Sequence, residues 1–172
     1  QWLRDARAQR TREPARPRVD VRVRARVDAH PSAPWEWWNI NLELWTRDED
    51  QEYHVEWHHP TSSTPGWDRL DHELQRSVID AAAVFLDTQH PHTEDWIGGT
   101  GANGLAIAGV RALALLDEHH RPIQPPIWET WAPAVAAFSV FVDGEQRERL
   151  AAAAPRFAPG GDGEGWRRLL PK

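Results

Sequence analysis

The sequence predicts an α+β domain: a three-stranded antiparallel meander followed by about four helices packed on one of its faces. Three observations carry this expectation. Valines alternate with charged residues near the N-terminus, at the period of two that belongs to a half-buried strand. Short charged or proline-bearing breaks then separate that segment from two more alternating stretches, as in a meander. From residue 67 onward the apolar spacing turns helical, and strands that precede helices argue against a parallel α/β sheet.

The first strand is expected over 19–27, with Val19, Val21, Val23, Ala25 and Val27 on one face and Asp20, Arg22, Arg24 and Arg26 on the other. The second covers 35–46. Trp38, Ile40, Leu42 and Leu44 share its inner face, while Trp37, Asn39, Asn41, Glu43 and Trp45 share the outer one. The third covers 52–58, with Tyr53, Val55 and Trp57 inward. The arginines of the first strand are matched across the sheet by Glu43, Glu52 or Glu56, each exposed pair contributing about 0.2–1 kcal/mol. A first amphipathic helix is expected over 67–87, on Leu70, Leu74, Val78, Ile79, Ala82, Phe85 and Leu86, with Thr64 and Pro65 at its start. A second, over 104–118, is apolar on most sides and belongs in the centre. A third covers 127–142 with Trp128, Trp131, Val135 and Phe138 on one stripe, and a fourth follows Asp143, with Gln146 at the capping-box position. Residues 1–18 read as a basic arm, 19–157 as the domain, and 158–172 as a Gly-rich tail carrying Trp166, Leu169 and Leu170.

Length agrees with one domain: 172 residues against a prior of roughly 150. Cysteine is absent, which removes disulfides, thiolate metal sites and a Cys nucleophile. Methionine is absent too, so the chain is expected to be processed or trimmed. Tryptophan is the extreme count, 11 against 4 Phe and 1 Tyr. Nineteen of the 20 basic residues are arginine, and 23 alanines stand against 3 asparagines, a bias toward GC-rich codons that points to a high-GC bacterium. The net charge of −6 is unevenly placed. Residues 1–26 hold nine arginines against Asp5, Glu13 and Asp20, a balance of +6, and the remainder stands at −12. That acidic body is unsuited to a nucleic-acid backbone, which the basic arm alone would suit. The charged start has no signal-peptide pattern, so a soluble cytoplasmic protein is expected. The one mostly apolar stretch, 96–116, is interrupted by Arg111 and glycines and reads as a buried helix rather than a membrane span.

Two constellations suggest chemistry. His54, His58 and His59 end the third strand, and His90 and His92 lie in a loop with Glu94 and Asp95. Imidazole and carboxylate are the metal ligands left to a protein without cysteine, so His58, His59, His90 and His92 are the candidate set for a divalent metal. Trp57-His58-His59 resembles the WHH opening of HNH-type nucleases, and His92-Thr93 followed by Gly98-Gly99 resembles their later HTGG segment. The resemblance implies a metal-dependent hydrolase using His58, His59 and His92. The chain departs from that pattern in the long helix between the segments and in Glu94–Ile97, which separates the histidine from the glycines. His90-Pro91-His92 resembles the HxHxDH motif of the metallo-β-lactamase superfamily, with Glu94-Asp95 where that motif has Asp-His.

The second constellation is Gly99-Thr100-Gly101-Ala102-Asn103-Gly104, a GxGxxG that opens a helix and offers backbone N–H groups to a phosphate. It lacks the preceding strand of a dinucleotide site and the Lys-Ser/Thr of a P-loop. No serine sits in a GxSxG elbow.

The tryptophans carry the leading expectation. Trp37 and Trp45 fall on the nominally wet sheet face, with Trp35 and Trp67 flanking it, and indoles are favoured at interfaces. The chain therefore reads as a non-catalytic interaction or assembly module without a resident cofactor. It would bind a protein partner or itself through Trp35, Trp37, Trp45 and Trp67 together with Arg22, Arg24 and Arg26. A metal-dependent hydrolase on the histidines and a nucleotide-binding domain on Gly99, Gly101 and Gly104 stand as alternatives.

Overall fold

A computed structural model of the chain describes residues 18–30, 33, 35–45, 60–96, 103–138 and 144–153. The described residues form six α-helices and three short 3-10 turns, and no β-strand occurs among them. The helices are α1 (Val19–Ala29), α2 (Glu36–Leu44), α3 (His72–Thr88), α4 (Gly104–Glu118), α5 (Pro125–Phe138) and α6 (Gly144–Ala153). Among the described residues the expected α+β meander is thus corrected to a helical bundle. The third expected strand, 52–58, lies outside the described residues.

The correction has a simple geometric cause. A valine at every second position also places Val19, Val23 and Val27 four residues apart, one above another on a helix. Val19 and Val23 are buried and Val27 partly so, while Val21 is turned out at 54% exposure. In α2 the helical stripe is Trp37, Ile40, Asn41 and Leu44, at spacings of three, one and three, and all four are fully buried. Ile40 and Leu44 fit both periods, so the run of alternating residues did not discriminate between them.

The remaining helices follow the sequence closely. α3 is capped by Asp71, whose carboxylate accepts from the Leu74 N–H at 2.7 Å. Trp67–Arg69, expected inside this helix, forms a separate 3-10 turn, and the Thr64 hydroxyl donates to the Thr61 carbonyl instead of capping α3. α4 is buried continuously from Ala106 to Leu116 and packs against α2, α3, α5 and α6, the central position its composition predicts. α5 starts on two prolines, which lack the N–H a first helical turn leaves unbonded. In α6 the Gln146 side chain turns to α4, where its amide donates to the Ala114 carbonyl (3.4 Å) and to Glu118 Oε2 (3.3 Å).

Two glycines permit close approaches. The Gly66 N–H donates to the Leu44 carbonyl at 2.8 Å, and a Cβ there would lie 2.7 Å from that oxygen. Gly109 lies under the Trp131 ring, and a Cβ there would lie 1.9 Å from Cζ3. No described helix is long and apolar enough to cross a membrane.

Candidate functional site

The three tryptophans at the start of α2 separate by helical rotation. Trp37 points inward, 0% exposed, and its indole N–H donates to the Ala108 carbonyl of α4 at 2.9 Å. Trp38 is half-buried against the core. Trp35, one residue before the helix, is 63% exposed. Trp35 and Trp38 line a groove of about 260 Å³ with Phe85 of α3 and Gly104, Leu105 and Ala108 of α4. The described residues that line it are all apolar, and an exposed indole at its lip is the kind of surface that marks an interaction site.

The rest of the expected interaction set is turned to the interior or to other helices. Trp45 is buried beneath Arg111, whose guanidinium carbon lies 5.5 Å from the ring centroid. Trp67 is buried and stacks on His119 at 5.5 Å. The outer sheet face on which Trp37 and Trp45 were expected is therefore replaced by helix interior. Arg22 and Arg26, four residues apart, bind α2: Arg22 Nε meets Glu43 Oε2 at 2.7 Å, and Arg26 meets Glu36 at 3.0 Å. Arg22 thus finds one of its expected partners, across a helix pair rather than a sheet. Arg24, half-exposed, reaches Asp71 of α3 at 3.5 Å.

Arg111 is the functional-looking residue that the sequence reading passed over. It is 1% exposed at the middle of α4. Its Nε donates to Asn41 Oδ1 at 3.1 Å, one terminal nitrogen donates to Thr61 Oγ1 at 3.2 Å, and the Asn41 amide in turn donates to the Trp37 carbonyl at 2.8 Å. Burial lowers its pKa to about 10 against the opposing pull of Glu118, so it stays charged at neutral pH. A half-buried Glu118 also accepts from the Ser62 hydroxyl and the Gln146 amide. The signal was present in the sequence: one arginine within an otherwise apolar helix must carry its own partners inward.

The histidine and glycine sets fare differently. His90 and His92 are neighbours, ring centroids 5.2 Å apart, and His90 Nδ1 accepts from the His92 backbone N–H. His58 and His59 lie outside the described residues. Among the described residues no three His, Asp or Glu side chains stand close enough to hold a metal ion. Gly99 and Gly101 lie outside the described residues as well. Gly104 opens α4, where the side chain of Asn103 accepts from the Ala106 N–H at 2.9 Å and so takes up one of the donors an anion would use.

Fold and site together define an α-helical bundle with a polar centre on Arg111 and an aromatic-lipped apolar groove. Comparison with known protein families, with curated proteins and with solved structures returns no match.

Proposed function

We propose that the chain is a non-catalytic helical interaction module that associates with a second copy of itself through the Trp35 groove. The supporting observation is Trp35, a large indole held 63% exposed beside an apolar cleft lined by Trp38, Phe85 and Leu105. A projecting side chain next to a cleft is self-complementary. In a two-fold pair the Trp35 of each copy fills the groove of the other, and the same patch serves as donor and receiver. Indoles recur among the few residues that dominate interface energies, typically at 2 kcal/mol or more each (about thirtyfold in affinity).

Sedimentation velocity on the full chain over a concentration series tests this. Concentration-dependent association that Trp35→Ala abolishes, with unchanged circular dichroism, is the expected outcome. A wild-type chain that stays monomeric at every soluble concentration, or a Trp35→Ala variant that associates equally well, overturns it.

A further inference from the structure

We propose that His30 makes the seating of α1 on the bundle sensitive to mild acid.

His30 closes α1. Its N–H donates to the carbonyls of Arg26 (2.9 Å) and Val27 (3.2 Å), and its own carbonyl accepts from the Ala33 N–H (3.1 Å). The backbone is thereby pinned on both sides, and the ring stays under the surface at 2% exposure. Its Nε2 has no hydrogen-bond partner among the described residues. A neutral imidazole tolerates one bare acceptor nitrogen there. An imidazolium has two N–H donors, and burying one without an acceptor is costly.

Among the described residues, α2 and α3 are the elements packed most extensively on α1. α2 presents Glu36 and Glu43, which Arg26 and Arg22 engage, and α3 brings Asp71, which Arg24 engages. These three carboxylates are thus already bound to arginines, and Glu36 offers His30 only partial compensation. Burial outweighs Glu36 and holds the imidazole below its ordinary value of 6.5.

The sign follows from linkage. An imidazole lowered in the packed state binds its proton more readily once α1 is released. Packing is therefore fully favoured above about pH 6.5 and is lost as pH falls below it, the opening constant rising by up to about tenfold per pH unit until the packed ring itself titrates. Ordinary carboxylates titrate near pH 4, which leaves a window between about pH 5 and 6.5.

Hydrogen exchange of the full chain, corrected for intrinsic exchange rates, reads this directly. Between about pH 7.5 and 5.5 the α1 amides should lose protection by up to about tenfold while the amides of α5, a helix without a histidine, hold, and His30→Gln should make α1 insensitive to pH over that range. Unchanged α1 protection in the wild type, an equal loss in every helix, or an unaltered pH response in His30→Gln overturns the proposal. Should His30→Gln fail to seat α1 at neutral pH, an NMR titration of the wild-type His30 ring decides: an inflection clearly below 6.5 supports the latch, and one at or above 6.5 refutes it.

Discussion

Replacing Gly109 by alanine should destabilise the bundle although it improves the helix. In an isolated helix the change is worth about 1 kcal/mol in favour of alanine. Here the new Cβ would lie 1.9 Å from Cζ3, 2.2 Å from Cε3 and 2.8 Å from Cη2 of Trp131, whereas carbon atoms rest about 3.5–4.0 Å apart. One side must therefore move by well over 1 Å. Trp131 has little freedom to do so: it is 0% exposed, its ring centroid lies 5.7 Å from that of Phe85, and its indole N–H donates to the Leu86 carbonyl at 3.0 Å. Overpacking costs about 1–3 kcal/mol, and a buried indole N–H torn from its acceptor costs about 1–3 more. Set against the propensity gain, the expected net loss is about 3 kcal/mol. Urea unfolding followed by circular dichroism measures it, and pairing the change with Trp131→Leu should recover more than half of the loss, because the truncated side chain vacates the contact. A Gly109→Ala variant as stable as the wild type, or additivity between the two substitutions, would refute the contact argument.

Two further substitutions probe the polar centre and the end of α4. Arg111→Leu strips Asn41 and Thr61 of their shared donor inside the core, and the urea midpoint should fall by the equivalent of about 2–4 kcal/mol; a neutral result would show that the centre adds nothing to stability. His120 sits at φ 52° in a Schellman turn, with the Arg121 N–H on the Leu116 carbonyl at 2.8 Å and its own N–H on the Asp117 carbonyl at 3.0 Å. The left-handed conformation costs a side-chain-bearing residue about 1–2 kcal/mol, and the freedom glycine loses on folding returns part of that, so His120→Gly should stabilise the chain by about 0.5–1 kcal/mol in thermal unfolding.

The helices after residue 70 were readable because their apolar spacing admits one period. Leu74, Val78, Ile79, Ala82, Phe85 and Leu86 cannot share a strand face, and the unbroken apolar stretch of α4 has room only in the middle. The segments 19–27 and 35–46 were misread because alternating residues satisfy both a strand and every fourth position of a helix. The site was partly legible for a related reason. Trp35, flagged as flanking an interaction face, is exposed beside the groove, but the groove itself draws on Phe85, Leu105 and Ala108 from helices far along the chain. Trp37 and Trp45, flagged because a strand would turn them outward, lie inside once the segment winds into a helix and the turn after it. The charge pattern survived this error, since Arg22 opposite Glu43 needs proximity and opposite sign rather than a particular backbone.

Composition and local pattern by themselves determined that a cysteine-free core would be built largely from indole and aliphatic groups, where four of its helices lie, and that α4 would be central. Tertiary packing alone decided the state of residues 19–30 and 35–45, the inward turn of Arg111 and the exposure of Trp35. The reason is energetic. Local preferences differ by under about 1 kcal/mol per residue, whereas burying a side chain of this size is worth about 1.5–3 kcal/mol, so wherever a local pattern fits two backbones, the surface that the rest of the fold offers makes the choice.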